Sequence, residues 1–483
     1  MDQERTERAP AAGFTPTQRW VLALAAAGSF MAVLDAMVVT TALDTLRHEL
    51  SASVTALEWT VNAYSLSFAA LLMTGAALGD RFGRRRMYIA GLLLFAASSA
   101  ACALAPNTAW LIAARAVQGV GAALVMPIAM ALLGAAFPPS QRPKALGLFS
   151  GITGLAVLAG PVVGGAIVNG LAWQWIFWIN LPVALLVAWF AYFMVPDGKA
   201  GTMRLDVRGA TLMTASLLAL VWGLVHGNQA GWTSANVLAA LIAGVVLGAG
   251  FVASQRLRAW DAMIPPRLFR SPVLGAGLGV ALLLTASLYG TLFFMAQFFQ
   301  VTRGQSPLAA GASMLPWTVT LFIVAPIAGA MVRRIGERPL VVGGLVLQAV
   351  GMVWLAALAR GDAAYALWIA PLVLAGAGIS MAMPAAQSAV LGAVEPPDMG
   401  KAAGLFNTLR QLGGVIGVAL TVAVFVRAGG YGSAHEFSAG FAASLATSAL
   451  LSLGGAAMGL RLRGRRSTIQ APTSTPTAEG VRS

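Results

Sequence analysis

Charge is what this chain has least of. Only 10% of its 483 residues are Asp, Glu, Lys or Arg, against about 25% in an ordinary soluble domain. So little charge cannot cover a water-facing surface, which excludes a soluble globular protein. With 58% apolar residues the chain is equally far from the low hydrophobicity and high charge of disorder. Cysteine is nearly missing: Cys102 stands alone inside an apolar run, which excludes an intramolecular disulfide and a cysteine-based metal site. His48, His226 and His435 are far apart and show no ligand spacing. There is no Gly-x4-Gly-Lys-Ser/Thr phosphate loop, so ATP is not implied. With no paired-carboxylate site, no His cluster and no soluble domain, an enzyme is not expected, and no metal or organic cofactor is implied. The net charge of +14 comes without a long basic stripe carrying interleaved aromatics, so nucleic acid is not an expected partner.

What is abundant is apolar sequence in long runs. A helical span needs roughly 20 apolar residues, and spans are predicted at 20–43, 57–79, 87–105, 109–134, 145–170, 174–195, 209–226, 235–255, 273–300, 307–332, 340–359, 364–392, 403–426 and 437–460. The predicted class is therefore an all-α integral membrane protein with 14 transmembrane helices. With the N-terminus inside, 25 of the 31 basic residues fall in inside segments. Arg81, Arg84, Arg85 and Arg86, Lys199 and Arg204, and Arg461 to Arg466 are among them. The positive-inside rule then puts both termini in the cytoplasm. Residues 1–19 lack the short apolar core of a signal peptide and read as a cytoplasmic tail. Residues 461–483 read as a tail that is first basic, then Ser/Thr/Pro-rich and disordered.

A weak internal echo points to duplication. Gly79-Asp80-Arg81-Phe82-Gly83-Arg84-Arg85-Arg86 follows span 2, and Arg333-Arg334-Ile335-Gly336-Glu337-Arg338 follows span 10. Superposing Gly83 on Gly336 predicts two six-helix bundles, 20–195 and 273–460. Residues 196–272 then hold two inserted helices, spans 7 and 8.

The polar residues inside spans are few. Asp35 is the only acid placed deep within a predicted span, and a charge there costs about 2.5–3.5 kcal/mol on insertion scales, which marks it as functional. Counting from Trp20 puts Asp35 about 22 Å above the inner interface, roughly 8 Å below the outer face. Arg115 on helix 4 lies about 9 Å below that face and Asn62 on helix 2 about 7 Å. Three helices are thus expected to share one polar level, with Asp35 and Arg115 as partners. A structural ion pair that fixes helix packing is the alternative. Helix 5 carries Gly147, Gly151, Gly154, Gly160, Gly164 and Gly165 as one smooth face for close helix approach, and Pro161 favours a bend.

The motifs resemble those of the major facilitator superfamily. Gly79 to Arg86 resembles its loop between helices 2 and 3, and Arg115-Ala116-Val117-Gln118-Gly119-Val120-Gly121 its helix 4 motif. Gly160-Pro161-Val162-Val163-Gly164-Gly165 resembles the helix 5 motif of its exporters. Leu34 to Leu43, Trp173 to Pro182 and Gly404 to Gly414 resemble its 14-span drug:proton antiporter branch. Ala76, Gln174, Thr40 and Asp44 depart from the usual Gly, Arg, Asn and Pro.

The resemblance implies the major facilitator fold and a multi-pass protein of the cell membrane. It implies export of amphiphilic drugs by alternating access, driven by the proton gradient, or export of one self-made metabolite or antibiotic. A non-transporting membrane receptor or assembly protein is the alternative of another class. Expected partners are the lipid bilayer, protons and a small amphiphilic substrate, with the protein a monomer. Asp35 and Arg115 would handle the proton. Asp80, Arg81, Gly83, Arg84 and Arg85 would gate, with Gly160, Pro161, Gly164 and Gly165 as a hinge. Candidates for the substrate pathway are Asn62, Tyr64, Gln118, Phe294, Gln297, Phe298, Gln300, Trp317, Asn407, Arg410 and Gln411. A single deep acid predicts few protons per cycle and a preference for monovalent or neutral amphiphiles over dications.

Overall fold

A backbone in lipid has no water to bond, so each apolar run must satisfy its own amides and carbonyls as a helix. The fold was obtained as a computed structural model, which describes residues 14–138, 141–196, 206–257, 266–361, 363–395 and 398–462. Both expected tails fall largely outside the described residues, as do Lys199 and Arg204. In chain order the helices are α1 (Pro16–Glu49), α2 (Val54–Phe82), α3 (Arg84–Ala103), α4 (Thr108–Ala136), α5 (Arg142–Gly170), α6 (Trp175–Trp178), α7 (Asn180–Met194) and α8 (Val207–Ala230). Then come α9 (Ala235–Leu257), α10 (Pro272–Arg303), α11 (Pro307–Ser313), α12 (Leu315–Ile335), α13 (Glu337–Ala359), α14 (Ala366–Gly392), α15 (Met399–Ala428) and α16 (Ala434–Gly459).

Thirteen stretches are long and apolar enough to cross a bilayer, and α2, bent by 52° between Leu72 and Thr74, makes fourteen. Two spans are broken: α6 and α7 share one, interrupted at Ile179, and α11 and α12 share another, interrupted at Met314. Polar side chains open many helices by accepting a first-turn amide, among them Thr15, Ser53, Asn107, Asp206, Ser271, Ser306 and Ser433. α1 starts earlier and ends later than its predicted span, because Thr15 and Gln18 form a capping box and the helix runs on past the apolar stretch.

The two ends of the chain repeat one pattern of pairings. α1 packs on α5 as α10 packs on α15; α2 on α4 as α12 on α14; α3 on α4 as α13 on α14; α3 on α7 as α13 on α16. The turn glycines repeat too. Gly83 joins α2 to α3 at φ 99°, and Gly336 joins α12 to α13 at φ 86°, both left-handed angles that a side chain resists. α8 packs on α9, α2 and α15, so it sits where the first and second sets of helices meet.

Cross-contacts between the two sets cluster at the end where α1 finishes. A Cβ on Gly165 would strike the Pro307 carbonyl and Leu308, and one on Gly311 would strike the Pro161 carbonyl. Gln300 donates to the Thr41 carbonyl at 3.2 Å. Arg47 lies 4.1 Å over the Tyr431 ring. At the other end α4 packs on α1, α2, α3 and α5 of its own set, and Gly134, Gly151 and Gly154 face open space. The bundle is sealed at the α1 C-terminal end. The helix 5 glycines therefore do not form one contact face: Gly160 meets Met37, Gly164 meets Val38 and Thr41, and Gly165 meets α11, whereas Gly151 and Gly154 touch nothing. The reason is direction: Gly151 and Gly154 lie off the faces by which α5 packs, while Ala145 and Phe149 of the same inner half are buried in the core. The surroundings of Gly147 lie outside the described set.

Candidate functional site

Asp35 is the centre of a closed polar network drawn from five spans. Its carboxylate is 1% exposed. Oδ2 accepts from Nη1 of Arg115 on α4. Oδ1 accepts from Nε2 of Gln118, one turn along α4, at 2.9 Å, and from Nδ2 of Asn180 at 2.7 Å. The break at Ile179 places Asn180 at the first position of α7, where it also donates to Ser99 Oγ of α3 at 3.1 Å. Ser99 in turn donates to the Phe177 carbonyl at 2.8 Å. Arg115 spends its other donors locally: Nη1 to Gln118 Oε1 at 2.8 Å and Nε to the Thr60 carbonyl at 3.2 Å. Its guanidinium lies 4.4 Å over the Tyr64 ring, and the Tyr64 hydroxyl donates to the Ala32 carbonyl at 2.9 Å. One buried anion meets one buried cation, with the remaining lone pairs bonded. That is the condition under which a buried ion pair is tolerated.

The predicted Asp35–Arg115 partnership is thus present, but the predicted third member is not. Asn62 is fully buried and both its amide atoms lack a partner among the described residues. Counting residues gave its depth but not its direction. Thr60 and Tyr64 face Arg115, and Asn62 is rotated about 200° from Thr60. Asn180 takes the place expected of Asn62. Its signal in the sequence was its position just after the Trp173 to Trp178 run, at the first position of a new helix. Asp35 is not, however, the only buried acid among the described residues. Glu58, near the start of span 2, is 0% exposed. It was passed over because distance along a span was read as exposure, whereas here surrounding helices cover the outer turn of α2.

At the opposite end, Asp80 accepts from Arg84 Nε at 2.9 Å and Nη2 at 2.8 Å. Arg84 also donates to the Ala131 carbonyl of α4 at 3.1 Å, so the turn at Gly83 is tied to α4. Arg85 Nη1 donates to the Tyr192 and Val195 carbonyls at 3.2 and 3.3 Å. Arg81 lies 5.4 Å from the centre of the Phe82 ring.

The remaining candidates divide. Gln297 is buried, donating to the Phe293 carbonyl and accepting from the Tyr431 hydroxyl. Tyr431 lies in the loop between α15 and α16; burial pushes its phenol well up, more than Arg47 pulls it down, so the hydroxyl keeps its proton to donate. Gln300 holds α1, as above. Trp317 is buried against Gly376 of α14. Phe294 stacks on Phe425 at 4.2 Å and Phe298 on Phe441 at 4.6 Å. These residues build the sealed end. Asn407 donates to the Ala403 carbonyl at 3.0 Å. Arg410 Nε is buried without a partner among the described residues, and Gln411 is buried one residue on.

Known proteins are similar to this one in sequence and in architecture. The profile of the Major Facilitator Superfamily matches residues 25–418 and, overlapping, 275–475. The tetracenomycin C resistance and export protein of Streptomyces glaucescens is 33% identical over 414 residues, covering 85% of this chain and 76% of that one. The methylenomycin A resistance protein of Streptomyces coelicolor is 35% identical over 419 residues, 86% of this chain and 87% of that one. The multidrug resistance protein Stp of Mycobacterium tuberculosis is 33% identical over 406 residues, 84% and 75%. Among solved structures, a peptide transporter POT in complex with sulfate aligns with TM-score 0.66 at 16% identity, over 92% of this chain and 96% of that one. The xylose transporter XylE from E. coli, titled as a partially occluded inward open conformation, aligns with TM-score 0.62 at 16% identity, over 92% and 97%. At that identity the structures speak for the fold alone. Thirteen to fourteen apolar spans among the described residues, a repeated packing pattern and a profile matched across most of the chain make this a multi-pass plasma-membrane transporter and not an enzyme: the chain belongs to the Major Facilitator Superfamily.

Proposed function

We propose that the protein exports amphiphilic drugs or antibiotics in exchange for protons, by alternating access. The observation that carries this is the buried network around Asp35. With Arg115, Gln118 and Asn180 in place, the carboxylate is compensated. If the helices shift and the donors withdraw, an uncompensated buried anion is too costly, and the group takes a proton instead. Helix movement and proton binding are thereby tied at one atom pair. Both termini lie in the cytoplasm in this reading, so the sealed end faces outward and the opposite end inward. Residues 20–195 and 273–460 rock against each other, and 196–272 carries α8 and α9 beside their seam. The Asp80–Arg84 pair stabilises one access state. Asn407, Arg410 and Gln411 lie along the substrate path, and the working unit is a monomer.

The substrate class follows from the relatives, whose names refer to resistance or export for tetracenomycin C, methylenomycin A and, in the mycobacterial case, multiple drugs. Because the Streptomyces relatives are each named for one compound, a narrow exporter of a single antibiotic is the second reading. A resistance panel separates the two by breadth. The decisive experiment is uptake of a fluorescent cationic dye into inverted vesicles driven by a proton gradient. Wild type should accumulate dye and lose it to a protonophore; Asp35→Asn should match empty vesicles. Gradient-driven uptake surviving intact in Asp35→Asn would sink the coupling role.

A further inference from the structure

α2 holds an acid that the proposed coupling mechanism does not use. Glu58 is 0% exposed, and among the described residues neither of its carboxyl oxygens has a hydrogen-bond partner. One turn on, Asn62 is equally buried and equally unbonded. The two share a stripe at i and i+4. α2 meets α4 through Thr60, Tyr64 and Ser67 and α8 through Trp59 and Ala70. Glu58 and Asn62, each two residues from Thr60 and so about 200° from it around the helix, lie away from the α4 face, and α2 also packs along α15 of the opposite set.

Among the described residues no counter-charge reaches Glu58. The titratable groups at its level on the helices packed around α2 are Asp44 and Arg47 of α1, Cys102 of α3, Arg115 of α4, His226 of α8 and Arg427 of α15. Asp44 lies beside Arg47 and His48, and Arg47 also covers Tyr431. Cys102 faces Gln118, Arg115 holds Asp35, His226 stacks on Trp222, and Arg427 is exposed. A carboxylate with neither donor nor cation is the costliest group to bury; the neutral acid is far cheaper. Glu58 also lies four residues from the start of α2, about 6 Å along the axis from Val54. Parting α2 from α15 at the sealed end would bring outer water to it.

We propose that Glu58 is a second proton-binding site, and that it latches the sealed end: the α2–α15 seam closes when Glu58 carries a proton and opens when it is ionised. This rests on the alternating-access reading above but not on the role given there to Asp35. The sign is fixed by burial. Acid at the outer face favours the sealed state, which in a proton antiporter is the return step after substrate has left. The count of one functional acid becomes two.

The test uses the full-length protein in lipid nanodiscs, in a Cys102→Ser background, with spin labels on Leu171→Cys and His435→Cys. Leu171 directly follows α5 and His435 lies in the first turn of α16, both exposed and both at the sealed end. Distances are measured by electron spin resonance from pH 5 to 9. In wild type the open fraction should rise with pH. Glu58→Gln should stay sealed throughout, removing up to a tenfold change in the open:sealed ratio per pH unit, the contribution of one proton. Glu58→Asp should keep a pH response. A Glu58→Gln protein that titrates like wild type would overturn the latch, and so would a wild type that does not respond to pH. Asp35→Asn separates the two ideas. If it alone abolishes the response, the latch fails while the Asp35 reading stands. If it still drives dye uptake while Glu58→Gln stays sealed, the Asp35 reading falls and the latch stands.

Discussion

Asp35 and Arg115 sit 80 residues apart and meet because their two helices cross at one level. Two charges out of water are stabilised only when every lone pair and donor is used, and breaking such a pair by removing one partner costs about 3–5 kcal/mol. Asn180 is the member whose contribution is easiest to isolate, since it is neutral and donates to a charged acceptor. Asn180→Ala should lower stability by about 1.5–3 kcal/mol, read as a lower melting midpoint in detergent, and should cut gradient-driven dye uptake at least tenfold. Ser99→Ala, which only supports Asn180, should do less. If Asn180→Ala melts and transports as wild type, the network is not the coupling site. Of this site, Asp35 and Arg115 were legible as rare charges in apolar runs. Gln118 was named among pathway candidates, three residues from Arg115, without its bond to Asp35. Asn180 was legible only as part of a motif, because an amide near a span boundary carries no energetic signature until its partner is known.

At the scale of elements, the turn between α2 and α3 shows how a short loop can bias a helix arrangement. Gly83 permits the reversal, Asp80 holds Arg84 across it, and Arg84 reaches the α4 backbone. Both side chains of the ion pair are 37% exposed, so solvent screens them and the pair is worth at most about 1 kcal/mol. That corresponds to roughly a fivefold change in a two-state ratio. Asp80→Asn should therefore slow dye transport severalfold at normal expression without abolishing it. Complete loss of transport, or none, would assign the pair another role. The helix 5 motif illustrates the opposite limit. Its glycines looked equivalent as a face, yet among those described only Gly160, Gly164 and Gly165 are pressed against neighbours. The motif's position in the helix, not its composition, decides where α5 touches α1 and α11.

For the whole molecule, the repeated pairings and the contacts gathered at one end describe two sets of helices closed against each other like a clamp. Arg47 over Tyr431, Gln300 on Thr41 and α11 on α5 form the closure. If export requires this end to open, tying it shut must stop transport. In an Arg47→Cys, Tyr431→Cys protein, a short thiol-specific cross-linker that a reductant cleaves should arrest dye uptake, and the reductant should restore it. Uptake unaffected by a verified cross-link would rule out opening at this end. α8 touches both α2 and α15, so it borders the seam between the two sets, which span counting did not foresee.

The sequence by itself determined that the chain is a membrane protein, how many times it can cross, and which superfamily it belongs to. These depend on the length of apolar runs and on motif spacing, both properties of consecutive residues. It also gave depth to a useful degree, since a helix rises 1.5 Å per residue. Rotation about each helix axis was decided only by the tertiary structure. Asn62 and Asn180 exchange roles because one faces away from α4 and the other is carried to Asp35 by the break between α6 and α7, 145 residues along the chain. Glu58 lies near the end of a span in the sequence and is buried in the fold because neighbouring helices cover it. Which end is sealed was likewise settled by contacts between distant segments. Facing direction is set by how one helix packs on another, and no stretch of consecutive residues contains that packing.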